Sequence, residues 1–424
     1  MTQLSRRRFT SAITAVGLAG LIPSQLVAKT SSAKLVVIGG GFGGATAARF
    51  AKRLLPSLSV TLVEPNPEYV ACPFSNLVVA GVRDLQQQRF TYAALSREGI
   101  TVAQDTAVEV DNEQRTVQLA GGASLSYDRL ILAPGIDFRW NALEGYDEAA
   151  TTRMPHAWKA GPQTMLLRDQ LRAIDNGGVV ALSVTAAPYR CPPGPYERAS
   201  LIASYLSQHK PRSKIIILDS NERFSKQPLF LDAWQDKYPG MVEWRAASND
   251  GRVTRVDSSS MRIQTDFEDI NADVINIVPP QQAGFIAQRA GTTDGSGWCP
   301  INATSFESLL QRNIHVIGDA TIAAPMPKSA FSANAQGKVC AIAIVRLLNQ
   351  LEVEATTLAN TCYSYVTPSE AISVAGVYNS GAGTFTNVPN AGGISPAQDS
   401  NQLRKNEARQ ASDWFQAITS ETFL

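Results

Sequence analysis

Apolar positions in this chain fall into short β-rich runs separated by helical stretches, with glycine and proline at the junctions. Lys34–Ile38 has no polar alternation, as expected of a strand covered on both faces in a parallel sheet. Gly39–Gly44 follows at once, a helix pattern is predicted from Ala45 to Leu55 where Pro56 stops it, and Ser59–Val63 reads as a second strand ending at Glu64. Tyr127–Gly135 reads as a buried strand running into a tight turn at Ala133, Pro134 and Gly135. Asn313–Asp319 is another strand, closed by Gly318-Asp319-Ala320 and followed by a helix to Leu348. In the middle, Val179–Val184 pairs by pattern with Lys214–Leu218, which ends at Asp219. Toward the end, Ser380–Ser400 is loop-like, and Asn401–Ile418 is helical with Leu403, Ala411, Trp414, Phe415 and Ile418 near one face. Arg404, Lys405, Glu407, Arg409 and Asp413 mix both signs along that helix, so it is expected to dock on the protein's own body rather than insert stably in a membrane.

The opening strand, turn, helix and strand make a βαβ unit, and the turn carries its chemistry. Gly39, Gly41 and Gly44 fit G-x-G-x-x-G: the first allows a tight turn, the second lets a pyrophosphate approach the backbone, and the third lets helix and strand pack. Gly43 belongs to the same phosphate-facing turn. Glu64, 20 residues after Gly44 at a strand end, can accept hydrogen bonds from ribose hydroxyls and disfavours a 2′-phosphate. The middle of the chain should repeat this unit, but Thr185–Glu197 stands where its phosphate loop would be, with four prolines and two tyrosines. An electron donor other than a nicotinamide is expected, and whatever replaces it is expected to meet Cys191.

Composition narrows the class. The chain has 424 residues, 44% apolar and 18% charged, which allows two or three folded domains and excludes a disordered or collagenous chain. A net charge of +1 gives no basic footprint for nucleic acid. Arg6, Arg7 and Arg8 precede the apolar run Ser11–Ile22, which is too short to span a bilayer, and small residues lead to Ala28. Residues 1–28 are therefore read as a twin-arginine signal directing a folded, cofactor-loaded protein to the periplasm. That compartment permits disulfides.

The Tyr127–Gly135 and Asn313–Ala320 segments resemble those of flavoproteins with two dinucleotide-binding domains. The resemblance implies an α/β fold with two Rossmann-like, glutathione reductase-like domains and a small C-terminal domain. The expected division is 33–155 for the first part of the FAD domain and 156–278 for a second Rossmann-like domain lacking an NAD phosphate loop. Residues 279–349 would return to the FAD domain, and 350–424 would cover the flavin. It also implies that Ala133, Gly135, Gly318 and Asp319 contact FAD, with Asp319 on the ribityl or pyrophosphate, and that Lys328 and the helix after it face the flavin ring.

The chain holds five cysteines, Cys72, Cys191, Cys299, Cys340 and Cys362, so at least one stays unpaired or is otherwise committed. The run Pro67-x-Tyr69-x-x-Cys72-Pro73-Phe74-Ser75-Asn76, the turn Tyr189–Arg198 and Thr361-Cys362-Tyr363-Ser364 resemble the flavoprotein subunit of flavocytochrome c sulfide dehydrogenase across the whole mature chain. The resemblance implies that Cys72 holds FAD through a thioether and that Cys191 and Cys362 form a redox disulfide beside the flavin. It further implies electron transfer to a haem c subunit, since this chain has no Cys-x-x-Cys-His of its own. Sulfide is a soft nucleophile and a disulfide sulfur its natural electrophile. Attack would leave a persulfide on one cysteine and a thiolate on the other, and Glu197 would handle the sulfide proton. Cys299 and Cys340 read as structural, and His156, His209 and His315 form no metal-ligand pattern. Two alternatives stay open: a sulfide:quinone reductase, and a flavin electron-transfer protein without a sulfur substrate. An NADH-using flavin reductase would need the missing second phosphate loop.

Overall fold

The computed structural model describes residues 33–397 and 401–424, so the arginine-led segment 1–28 lies outside the described residues. The first domain is built on a five-stranded sheet in the order Ile314–Val316, Arg129–Leu132, Lys34–Ile38, Ser59–Val63, Thr101–Ala103, all parallel. Leu35, Val37, Leu62, Leu130 and Leu132 are buried, as the unbroken apolar runs require. From Lys34–Ile38 the chain builds outward to one side and then returns to build on the other. The order reverses there, and a crevice opens at the carboxyl ends of the strands, where such sheets take their ligands.

The first helix spans Phe42–Leu54, starting three residues ahead of the sequence expectation. Its glycines are helical rather than loop, because close packing needs them. A Cβ at Gly44 would lie 1.9 Å from the Gly39 carbonyl oxygen, and one at Gly39, where φ is +101°, would lie 2.3 Å from that of Ala133. Helix Ala330–Leu348 lies against this helix, and Asn334 Nδ2 donates to Thr46 Oγ1 at 2.9 Å between them.

The second domain repeats the plan with a four-stranded parallel sheet, Val242–Arg245, Lys214–Asp219, Val179–Val184, Val274–Val278. In both domains a three-stranded antiparallel meander, 107–126 in the first and 255–271 in the second, precedes the strand that returns to the sheet. Strands Ile136–Phe138 and Gln281–Ala283 pair antiparallel where the chain leaves the first domain and re-enters it. Residues 140–154 were expected in the first domain, yet Tyr146, Ala150 and Met154 pack with Leu218, Val256 and Ile275 of the second. The crossing therefore follows Phe138, ahead of the expected 155/156 boundary.

The C-terminal region is a long hairpin, Thr357–Thr367 with Glu370–Asn379, followed by helix Asn401–Phe423. The helix docks on the body as expected: Ala411, Phe415, Ile418 and Phe423 are buried, while Leu403 is half-buried. Phe423 stacks on Tyr69 and on Phe90, each with ring centroids 5.2 Å apart. Full burial of such a ring contributes about 1.5–3 kcal/mol. The buried Arg49 donates to the carbonyls of Ser420 and Glu421, placing a cation at the helix's negative end. No helix among the described residues is long and apolar enough to cross a membrane.

Candidate active site

A cavity of about 540 Å³ opens at the crevice beside Lys34–Ile38. The glycine turn forms one end, the 190–198 turn and the hairpin at Cys362 another, and Trp414 closes a side. Gly39, Gly41, Gly43, Glu64, Cys72, Ala133, Gly135, Gly318 and Asp319 all line it, as do Cys191, Glu197 and Cys362. Gly44 lies just beneath, in the packing role read from its spacing.

At the glycine end, Glu64 Oε2 accepts from Gly40 N at 2.9 Å, and Oε1 from Asn66 N and Nδ2 at 3.0 and 2.8 Å. The carboxylate is thereby fixed on the cavity wall, with one lone pair of Oε2 left unused by these bonds. A Cβ at Gly41 would meet nothing nearer than the Tyr69 ring at 3.4 Å, so space is kept at the helix N-terminus. Asp319 Oδ1 is sealed from solvent with no partner among the described residues, and burial pushes this carboxyl up. An unsatisfied buried acceptor on a cavity wall calls for a donor from a bound molecule. A dinucleotide flavin fits: phosphate at the helix N-terminus, one hydroxyl-accepting acid for its ribose, and another for its ribityl chain.

Lys328 corrects an expectation. It does not reach the cavity: its Nζ donates to the carbonyls of Asp319 and Thr321 at 2.8 and 2.6 Å and sits 3.7 Å from the centre of the Trp298 ring. Burial lowers this amine to about 8, so it pins the Gly318–Ala320 turn instead of meeting a ligand. Trp414 does line the cavity, with its ring parallel to Phe331 at 6.0 Å.

Cys72 follows strand Glu68–Val70, and Phe74 at φ 70° turns the chain into helix Ser75–Val79. This leaves Cys72 half-buried on the wall, its Sγ 3.7 Å from the Trp158 carbonyl. Cys191 sits at φ 55° in a tight turn, its N–H donating to the Lys328 carbonyl at 2.9 Å. Cys362 comes from the hairpin, paired with Val374, and this strand packs on helix Gly194–His209. Cys191 and Cys362 are both half-buried free thiols on the cavity wall, within each other's electrostatic field. Burial, then Cys362 and Glu197, push the Cys191 thiol up.

Glu197 stands between these elements. Its oxygens accept from Asn76 Nδ2 at 2.7 Å and Tyr365 N at 2.9 Å, and burial raises it above the usual carboxylate range. Sequence patterns do not reveal Lys226, a buried amine whose Nζ donates to the Cys362 carbonyl at 3.1 Å and Ser364 Oγ at 2.8 Å. Burial lowers it to about 8, against the charges of Cys362 and Glu197. Asn76 and Arg198 lie inside the recognised motifs but carry no catalytic pattern by themselves. Arg198 donates to Asn76 Oδ1 at 3.0 Å and to Asn276 Oδ1 at 2.8 Å, tying helix Ser75–Val79 to strand Val274–Val278. Cys299 and Cys340 are fully buried away from this wall.

The matching crevice of the second domain is closed. Asp219 occupies the strand-end position that Glu64 holds in the first, yet it is fully buried. Its oxygens accept from Tyr196 Oη at 2.6 Å, Trp244 Nε1 at 3.0 Å, and Asn221 N and Nδ2 at 3.0 and 2.8 Å. Tyr196 in turn stacks on Phe224 at 3.7 Å. Side chains thus take the hydrogen bonds that a nucleotide ribose would use.

His156 is structural: buried, it accepts from Trp158 N at 2.9 Å, and burial together with Arg198 and Lys159 lowers it to about 3. Between its ordinary 6.5 and about 3, the unfolded chain binds a proton that the folded one refuses. Its contribution to stability therefore falls with pH by up to about 1.4 kcal/mol per unit in that window. His156→Asn is expected to remove this slope, read as the difference between variant and wild-type Tm from pH 6.5 to 5. Parallel curves would contradict it. Among the described residues no group of three or more His, Cys, Asp or Glu is placed to hold a metal.

Comparison with known proteins agrees with this geometry. Residues 164–279 match the central domain of the flavoprotein chain of sulfide dehydrogenase [flavocytochrome c]. Residues 354–423 match the flavin-binding domain of flavocytochrome c sulphide dehydrogenase, and 33–186 the pyridine nucleotide-disulphide oxidoreductases. The flavoprotein chain of Chlorobaculum thiosulfatiphilum sulfide dehydrogenase is 60% identical over 45 residues, 11% of this chain and 94% of that sequence. Mitochondrial sulfide:quinone oxidoreductase of Mus musculus is 22% identical over 327 residues, 72% of this chain and 69% of the relative. The fold superposes on the sulfide:quinone oxidoreductase of Aquifex aeolicus with a TM-score of 0.73 at 18% identity, covering 92% of each chain. The chain belongs to the family of flavoprotein chains of flavocytochrome c sulfide dehydrogenase, flavin-binding oxidoreductases among the sulfide-oxidising flavoproteins.

Proposed function

We propose that this protein oxidises sulfide to sulfur or polysulfide through a Cys191–Cys362 disulfide and passes the electrons, by way of FAD bound covalently at Cys72, to a c-type cytochrome subunit. The observation that carries the reading is the convergence of Cys191 and Cys362 on the wall of the same cavity as the dinucleotide turn. Hydrosulfide attacks one sulfur of the bridge, a new S–S bond forms as the old one breaks, and the second cysteine departs as a thiolate. Bound FAD supplies a two-electron acceptor able to release electrons singly to haem. Glu197, half-buried on the cavity wall beside Cys191, holds or gives the sulfide proton, and Lys226 keeps a compensating charge near the thiolate. Glu64, Asp319 and the glycine turn orient the flavin, and Phe331 and Trp414 screen it from water.

Export by the twin-arginine route, with action in the periplasm, is part of the proposal. It suits a folded flavoprotein serving a cytochrome partner. A quinone as acceptor is the second reading, favoured by the fold shared with the Aquifex aeolicus enzyme. The helix that such a reading would lay on a membrane instead buries Phe415, Ile418 and Phe423 against the protein itself.

The purified oxidised protein, mixed with sulfide under argon, should reduce an added c-type cytochrome and leave a soluble quinone analogue oxidised. The reverse preference would assign it to the quinone reductases. NADH and NADPH should not bleach the flavin within the mixing time, because the second-domain crevice is filled by Tyr196 and its Asp219 is satisfied. Rapid bleaching by either would overturn the donor assignment.

A further inference from the structure

Cys191 and Cys362 stand in chemically different surroundings, and the difference is built by a small buried network at the start of helix Ala330–Leu348. Ser329 is the N-cap of that helix, its Oγ accepting from Ser332 N at 3.0 Å. With its lone pair so used, the Ser329 hydroxyl donates to Asn360 Oδ1 at 2.6 Å, and Ser332 Oγ donates to the same oxygen at 3.2 Å. Asn360, Ser329 and Ser332 are all buried. Two donors on the carbonyl oxygen fix the amide orientation, so its nitrogen points the other way, and Nδ2 donates to Cys362 Sγ at 3.3 Å. The Lys226 ammonium holds the carbonyl of the same residue at 3.1 Å. The setting of Cys191 differs: burial, then Cys362 and Glu197, push its thiol up, and Arg190 and Lys226 offset this only in part.

Resting on the disulfide reading above, we infer that the bridge opens in one direction: sulfide adds to Cys191, and Cys362 is the leaving thiolate, with Asn360 the catalytic hydrogen-bond donor to its sulfur and Lys226 a positioning residue. In thiol–disulfide exchange the attacked sulfur is the one whose partner departs most easily. Here the departing pair of electrons settles on Cys362 Sγ, where an N–H of Asn360 receives it. The incoming hydrosulfide bonds to Cys191 Sγ, its proton stays on the terminal sulfur, and the Cys191–Cys362 bond is the one that breaks. Departure in the other sense would leave the pair on Cys191, beside the Glu197 carboxylate and without the Asn360 donor.

The direction is read on the holoprotein by two measurements. In the first, oxidised protein is mixed anaerobically with one equivalent of sulfide, quenched with iodoacetamide during the first turnover, and digested for mass mapping. The extra sulfur should be on the Cys191 peptide and simple alkylation on Cys362. Extra sulfur on Cys362, or an even split, overturns the inference while leaving sulfide oxidation intact. In the second, which needs no reaction with sulfide, the thiols of chemically reduced protein are alkylated near neutral pH. Cys362 should react about tenfold or more faster than Cys191. Asn360→Asp, isosteric but lacking the donor when ionised, should slow Cys362 about tenfold and leave Cys191 unchanged. Equal rates in the wild type, or no change in Asn360→Asp, overturn it. Failure of sulfide to bleach the wild-type flavin would count against the proposed function instead.

Discussion

Serine at either Cys191 or Cys362 is expected to give a folded flavoprotein whose sulfide-dependent cytochrome reduction falls by roughly 10³-fold or more. The two sulfurs sit on the 190–198 turn and the C-terminal hairpin, whereas the glycine turn, Glu64 and Cys72 belong to other elements, so flavin content should hold. Loss of the bridge costs loop-closure stability, and the exchange of sulfur for oxygen at half-buried positions adds at most about 1–2 kcal/mol. The double variant should be no worse than either single one, because two residues acting as one unit are strongly non-additive. A purely structural bridge would differ in turnover. The bridge closes a long loop in either case, a stabilisation of about 5 kcal/mol in the loop-entropy account, so Tm falls in both, but turnover per folded molecule would survive the loss of a purely structural bridge. Steady-state rates normalised to folded flavoprotein, taken beside thermal melts, separate the two outcomes. Near-normal turnover in either single variant contradicts the mechanism.

Alanine at Cys72 should turn a covalent flavin into a dissociable one. Cys72 is half-buried on the cavity wall and its hydrogen bond to the Trp158 carbonyl is weak at 3.7 Å, so the variant should fold. The groups that fit the remainder of FAD, the helix N-terminus at Gly41 and the acids Glu64 and Asp319, are untouched and should still bind it reversibly. After acid precipitation the yellow colour should stay in the wild-type pellet and move wholly to the supernatant of Cys72→Ala. Colour retained in the variant pellet would put the attachment elsewhere, and colour lost from the wild type would remove the covalent bond from the account.

Strands Lys34–Ile38, Ser59–Val63, Arg129–Leu132, Val179–Val184 and Lys214–Asp219 were legible in the sequence because strands buried on both faces leave unbroken apolar runs between turn residues. Gly43 and Gly44 hid the true start of the first helix, since glycine reads as loop until packing is seen to demand it. The domain crossing was misjudged because 140–154 has no periodic pattern and is assigned only by where Tyr146 and Met154 are buried. Motif resemblance named Cys72, Cys191 and Cys362, all of which line the cavity, and it named Lys328, which does not. That side chain folds back onto the carbonyls of Asp319 and Thr321, which local sequence does not encode. Lys226 and Asn360 were invisible for the same reason, each brought to Cys362 by tertiary contacts. In Asp219 the sequence showed a strand-end acid like Glu64, and only the structure shows it sealed by Tyr196, Trp244 and Asn221.

The central claim is that sulfide delivers its electrons to the flavin of this chain. Anaerobic stopped-flow mixing of the oxidised wild-type protein with one equivalent of sulfide tests it most directly, followed by addition of oxidised c-type cytochrome. The account predicts loss of the oxidised-flavin absorbance within the first turnover and its recovery when cytochrome is added. An absorbance unchanged by sulfide, in protein whose flavin dithionite still reduces, would contradict it.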